Sequence, residues 1–231
     1  MLNNIRQALS KHASSEKAEI LARFFKTGKG EYAEGDIFLG INVPEQRKIA
    51  KKYYDATPWV LHKLLGSRIH EHRLVSLLIL IEKYKKADDA GKKEFADFYL
   101  SHMSQINNWD LVDISAGHIL GDYLLDKDKT ILFKLAESDN IWERRIAIMS
   151  TLAFIKKNGF EDTLKIARIL LNDSHDLIHK AVGWMLREVG KRNPAVEESF
   201  LNIHSKEMPR TMLRYAIERL NEKKKRYYMQ K

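Results

Sequence analysis

Four segments, "EHRLVSLLILI" (71–81), "ERRIAIMSTLAFI" (143–155), "IHKAVGWMLREVG" (178–190) and "TMLRYAIERL" (211–220), align on a cation, an apolar or aromatic residue, and a small aliphatic one. The cations are Arg73, Arg145, Lys180 and Arg214, and the third position holds Val75, Ala147, Val182 or Ala216. The spacings are 72, 35 and 34 residues, so the first covers two periods, with the missing member near Val112. A recurrence of that length fits one pair of helices per repeat, and such a pair cannot bury its apolar face without stacking on its neighbours. The feature restricts the chain to a helical array.

Local patterning agrees. Apolar residues in "EILARFFK", "HKAVGWMLREVGK" and "RTMLRYAIERL" fall at helical spacing, alternating β-branched runs are scarce, and there are only 4 prolines. Breakers and caps at "TGKGEYAEGD" (27–36), "NVPEQ" (42–46), "DATPW" (55–59), "SQINN" (104–108), "ESDN" (137–140), "KKNGFED" (156–162), "NDSHD" (172–176), "KRNPAV" (191–196) and "MPRT" (208–211) divide the chain into about a dozen helices. The expected fold is all-α, a HEAT-like, armadillo-type α-α superhelix of antiparallel helical pairs with a concave basic groove, one domain over residues 1–231. The basic tail "EKKKRYYMQK" (222–231) reads as a frayed end in preference to a further binding contact.

Charge narrows the partner. With 40 Lys+Arg against 31 Asp+Glu the chain carries a formal +9, which favours a polyanion, nucleic acid or an anionic membrane surface. The absence of cysteine removes disulfides, thiolate nucleophiles and cysteine-ligated zinc, and fits a reducing compartment. The N-terminal "MLNNIRQALSKHASSEK" lacks a signal-peptide core, and the most apolar run, "LVSLLILI" (74–81), is too short to span a bilayer. A cytoplasmic monomer with no membrane association is the expectation. "GKGEYAEG" lacks the spacing and preceding strand of a dinucleotide loop and reads as a flexible loop, so no nucleotide cofactor is expected. His175 and His179 in "HDLIH" lack the glutamate of a metalloprotease helix and a third ligand, so no metal is expected either.

The stretch "NNWDLVD" (107–113) holds two aspartates at the start of an apolar segment. Asn107 or Asn108 can cap the helix, and Asp110 then meets its unpaired N–H groups and positive dipole end. Asp113 is too deep to cap. It lies four residues after Trp109 and four before Gly117, so an aromatic wall, an acid and a gap share one stripe. An interior glycine costs roughly 1 kcal/mol against alanine, so another helix, the commoner case, or a ligand approaches Gly117. A lone carboxylate is more often solvated or ion-paired, and only the combination singles out Asp113. Lys180, Trp184 and Arg187, at i, i+4 and i+7, form a second stripe with a tryptophan between two cations, and Trp142 with Arg145 a smaller one. Aromatics interleaved with cations suit a polyanion carrying flat bases or sugars, although a lone tryptophan such as Trp142 is more often a core anchor.

At these residues the chain resembles the AlkD-type DNA alkylation-repair glycosylases, a family of HEAT-like repeats. The resemblance rests on "GINVPEQR" (40–47), "NNWDLVD" (107–113), "SDNIWERRIAI" (138–148) and "KAVGWMLREVGKRNP" (180–194), four motifs in order. It implies that Asp113 is the catalytic carboxylate, that Trp109 and Trp184 flank the lesion's backbone, that Arg145 grips a phosphate near the lesion, and that Arg187 is a neighbouring DNA contact. Phe24 in "EILARFF" (19–25) stands where a branch of the family has a tyrosine beside the lesion, a loss of one hydroxyl.

The implied activity is excision of N3- or N7-alkylated purines from duplex DNA without a cofactor. Arg73, Lys180 and Arg214 complete an expected phosphate-tracking stripe. Two rivals stand beside it: a non-catalytic binder of damaged or branched DNA, and a HEAT-type protein scaffold. An acid in a basic groove speaks against the scaffold.

Overall fold

The computed structural model describes residues 1–230. These form α-helices joined by turns and by a long loop between Phe24 and Val43, with one isolated β-bridge between Ile37 and Ile69. They divide into two compact units, Met1–Ser115 and the chain from Ala116 on.

The first unit runs α1 (Leu2–Ser10), α2 (Ser15–Phe24), α3 (Val43–Lys52), α4 (Pro58–Leu65), α5 (His70–Lys86), α6 (Asp89–Ser101) and α7 (Trp109–Ser115). Its centre is α5, on which α1, α3, α4, α6 and α7 all pack. Every residue from His70 to Ile81 is buried. The apolar run 74–81 is therefore core, and among the described residues no helix is long and apolar enough to cross a membrane. Leu77 is completely buried, and truncating such a leucine to alanine costs about 2–5 kcal/mol.

Helix starts follow the sequence's punctuation. Ser14 Oγ accepts from Lys17 N, Asn42 Oδ1 from Glu45 N and Asp88 Oδ1 from Gly91 N, so each cap satisfies an N–H with no intrahelical partner. The segment before α3 is held differently. The buried Glu71 carboxylate of α5 accepts from the backbone N–H of Leu39, Gly40 and Ile41 at 2.9, 2.8 and 3.2 Å. Gly40 has φ +80°, and a Cβ there would land on the Ser14 carbonyl, so only glycine fits.

The second unit opens with a π-helical turn, Gly117–Gly121, followed by α8 (Thr130–Ala136), α9 (Ile141–Ser150), α10 (Leu152–Lys156), α11 (Glu161–Ile169), α12 (Asp176–Arg192), α13 (Pro194–His204), α14 (Arg210–Ala216) and α15 (Glu222–Gln230). Its long helix α12 packs on α9, α10, α11, α13 and α14. The α12–α14 approach is close because Gly183 has no side chain: a Cβ there would strike the Met212 carbonyl and lie 2.5 Å from Tyr215 Cβ.

Three helix starts repeat one contact, and it corrects the register read from sequence. Arg73 Nη1 donates to the Ser67 carbonyl (2.9 Å), Arg144 Nη1 to that of Ser138 (2.8 Å), and His179 Nε2 to that of Asp173, in each case six residues back. Ser67, Ser138 and Asp173 in turn accept from the N–H two residues on, at Ile69, Asn140 and His175. The period of about 35 residues stands. The residues equivalent to Arg73 are Arg144 and His179, however, each one position before the expected Arg145 and Lys180, because reaching back to that carbonyl fixes the helical phase.

The tail also differs from expectation. Residues 222–230 form α15 and do not fray: Tyr228 is buried and donates to Asn202 Oδ1 (3.1 Å), Lys224 pairs with Glu198, and Arg210 Nη1 donates to the Met229 carbonyl (2.8 Å).

Candidate active site

In the first unit the site is built on α7. Asn108 is buried and its Oδ1 accepts from Trp109 N at 2.8 Å, fixing where the helix starts. Asp110 sits in the first turn as its charge requires, and it has a partner that spacing did not reveal: its Oδ2 lies 2.8 Å from His70 Nε2. His70 Nδ1 lies 3.7 Å from Asp36 Oδ2, and Asp36 is paired at 2.5 Å with Arg73. Burial pushes the His70 imidazole down, yet the hydrogen bonds and charge of Asp110 and Asp36 outweigh it, and the net shift is upward. Burial likewise opposes ionisation of Asp36, and His70 and Arg73 together hold it below the usual carboxylate range.

That network corrects one expectation. Arg73 is buried, its guanidinium committed to Asp36 and to the Ser67 carbonyl, so it drops out of the phosphate stripe. This cation repeats for structural reasons, where its position in the sequence suggests a contact to DNA.

Trp109 is half-buried and bounded on three sides. Phe25 stacks on it at 5.1 Å and 25°, Phe24 meets it edge-on at 5.9 Å and 73°, and its Nε1 donates to Tyr32 Oη at 3.3 Å. Phe24, which is 61% exposed, therefore presents its ring to solvent beside Trp109. Asp113 follows one turn later and is half-buried. Burial raises the Tyr99 phenol above its ordinary range; the Ser115 hydroxyl at 3.0 Å works against that shift, and the Asp113 charge adds to it. Trp109, Asp113 and Phe24 are thus gathered in one unit. Sequence reasoning missed Tyr32, His70 and Asp36, whose partners lie 77, 40 and 37 residues away.

The remaining candidates lie in the second unit. A Cβ on Gly117 would meet the Met149 carbonyl at 3.3 Å and Leu152 Cβ at 3.6 Å, so the body that approaches it is a neighbouring helix. Trp142 is a buried core residue, and Arg145 is buried with Nη1 donating to the Leu177 carbonyl. On α12, Lys180 pairs with Asp176 at 2.6 Å, half-buried Trp184 donates its Nε1–H to Glu188 at 3.0 Å, and Arg187 pairs with Glu218. Arg214 is exposed on α14. His175 Nδ1 accepts from Leu177 N, and His179 is held by the Asp173 carbonyl, so both imidazoles serve the backbone. Among the described residues no group of three or more metal-binding side chains comes together.

Recurring helix starts, a core of paired helices and an aromatic wall beside a half-exposed acid define an all-α helical-repeat protein. The chain belongs to the family described as DNA alkylation repair enzyme, whose model matches residues 5–220. A comparison with curated proteins gives no match. Among solved structures, a predicted DNA alkylation repair enzyme from Enterococcus faecalis superposes with a TM-score of 0.69 at 18% identity, covering 91% of this chain and 98% of that one. AlkD2 from Streptococcus mutans superposes with a TM-score of 0.56 at 18% identity, over 89% and 99%. These likenesses show the shared helical-repeat fold. The family places the chain among DNA repair enzymes, with DNA as its partner.

Proposed function

We propose that the protein is a monofunctional DNA glycosylase that hydrolyses the bond between deoxyribose and an N3- or N7-alkylated purine in duplex DNA. The observation that carries this reading is the pairing of Trp109 and Asp113 one turn apart on α7, the ring braced by Phe24, Phe25 and Tyr32 and the acid half-exposed beside it.

Glycosidases ordinarily use two carboxylates, one to protonate the leaving group and one to attack or to activate water. A purine alkylated at N3 or N7 already bears a positive charge. When its C1′–N bond breaks, the bonding pair neutralises the ring, which leaves without a proton. The charge moves to the sugar as an oxocarbenium ion. One carboxylate, Asp113, then stabilises that cation and orients the water that adds to C1′, taking up the proton the water loses before passing it to solvent. An electron-rich indole face such as that of Trp109 favours the same cation by about 1–2 kcal/mol when water is excluded.

Selectivity in this scheme comes from the lesion's own charge and lability. Bulky cationic adducts react as methyl adducts do, and neutral lesions that need protonation react poorly. Arg187 keeps the role the resemblance gave it, a contact to the DNA backbone, whereas Arg145 is as buried as Arg73 and committed to the Leu177 carbonyl, and drops out on the same ground.

The test is single-turnover release of N7-methylguanine and N3-methyladenine from duplex DNA by the parent and by Asp113→Asn at matched occupancy. Release by the parent, with a drop of about 10²-fold or more in the variant and unchanged binding, supports the reading. No release by the parent despite tight binding would sink it and leave the non-catalytic binder of damaged DNA.

A further inference from the structure

The segment "GKGEYAEG" (28–35) reads as a flexible loop in the sequence, and the structure builds it, with the residues flanking it, as a brace. Lys26 turns the chain at φ 56°, and its carbonyl accepts from the N–H of the buried Ala33 at 3.2 Å. Glu31 and Glu34 fold their carboxylates back onto Gly28 N and Gly30 N, both at 2.8 Å. The far end is fixed by the ion pair of Asp36 with Arg73, by Arg68 Nη2 on the Gly35 carbonyl (3.2 Å), and by Ile37 N on that of Arg68 (3.0 Å). Loops are usually the mobile part of a domain, and a loop pinned at both ends and within holds whatever side chain it carries in one place. That side chain is Tyr32, next to the buried Ala33, and its hydroxyl accepts the indole N–H of Trp109.

This contact bears on the proposed chemistry, and the inference rests on the glycosylase reading. An indole has one hydrogen-bond donor. Giving it to Tyr32 fixes the ring's rotation between the Phe25 face and the Phe24 edge, and donation through the N–H leaves the ring system richer in electrons. Both effects suit a surface meant to face a cation. The geometry points to Tyr32 as a positioning residue of the candidate site: through the Trp109 N–H it holds the indole as a seat for the cationic sugar formed when an alkylated purine departs. Tyr32 itself touches no reacting atom.

The experiment reads that seat without requiring turnover. Full-length protein binds two duplexes, one carrying a protonated pyrrolidine in place of the sugar and one carrying the neutral tetrahydrofuran analogue, and the ratio of the two affinities is measured. Tyr32→Phe should cut the preference for the cation by roughly tenfold while leaving affinity for the neutral duplex within about twofold. A purely structural role for Tyr32 would lower both affinities together. A second variant places benzothienylalanine, which keeps the ring and lacks the N–H, at Trp109; it should lose the same preference and show no further change when Tyr32→Phe is added.

An unchanged ratio in Tyr32→Phe overturns the assignment, as does additivity of the two changes. A parent with no preference for the cationic duplex overturns it too. If the ratio responds as expected yet the parent releases no methylated purine, the seat stands and the glycosylase reading falls.

Discussion

His70 Nε2 lies 2.8 Å from Asp110 Oδ2, tying the first turn of α5 to the first turn of α7. The two aspartates of "NNWDLVD" thus have different work. Asp110 faces inward and anchors the helix to the core, and Asp113 stands one turn on, half-buried beside Trp109. The same imidazole has Nδ1 3.7 Å from Asp36 Oδ2 at the end of the Tyr32 loop, near enough for its charge to act on that carboxylate.

The histidine makes stability depend on pH. Its folded pKa is raised above the ordinary 6.5, so its contribution is complete below that value and is lost as pH rises through the folded one. The groups facing it are Asp110, Asp36 and Arg73. Urea midpoints of the parent should fall as pH rises above about 6.5, and His70→Gln should be less stable with a shallower fall over the same rise. Equal slopes would remove His70 from the linkage.

Glu197 contributes in the same direction from the second unit. Burial first, and the charge of Glu198 second, push its carboxyl from 4.5 up to about 8, against a smaller opposing pull from Lys224. An acid with a raised folded pKa binds more protons when folded, so stability declines as pH climbs from about 4.5 to about 8 and levels off above it. Glu197→Gln should flatten that decline and end more stable than the parent at alkaline pH, by an amount on the order of a few kcal/mol. Melting temperatures across the range decide it.

Arg73 and Arg214 test the division between structural cations and those proposed to face DNA. Arg73→Met strips a buried carboxylate, Asp36, of its arginine and should cost about 3–5 kcal/mol, with no change in how DNA affinity varies with salt. Arg214→Ala should leave stability almost untouched and lower the salt slope by roughly one unit. Denaturation curves and affinities at several salt concentrations test both, and a reduced slope in Arg73→Met would return that residue to the DNA surface.

Gly183→Ala should destabilise the protein. Alanine in an exposed helix interior normally gains about 1 kcal/mol over glycine, but here the new methyl group meets the Met212 carbonyl and Tyr215 Cβ. A loss of about 1–3 kcal/mol is expected from the overpacking, measurable by chemical denaturation.

Much of the architecture was legible in the chain because caps and periodicity are local. Asn42, Asn140 and Asn193 all accept the N–H that their positions at the expected helix starts imply. The repeat length was legible too. Its phase was not, since Arg144 and Arg145 are adjacent and only the carbonyl each can reach tells them apart. The Trp109–Asp113 face follows from spacing four residues apart, whereas its supports do not. Tyr32, Asp36 and His70 act through partners tens of residues away, and a glycine-rich segment gives no local sign that its own glutamates will tie it down.

No residue of α2 from Ser15 to Phe24 is buried. An element that adds so little to the core can detach without taking the rest of its unit along, so its amides should exchange through local opening long before those of α5. Phe24 rides at the end of that helix, against Trp109. The aromatic wall around Trp109 therefore has one side, Phe25, set firmly into the core and one side, Phe24, carried on the outermost layer of its unit.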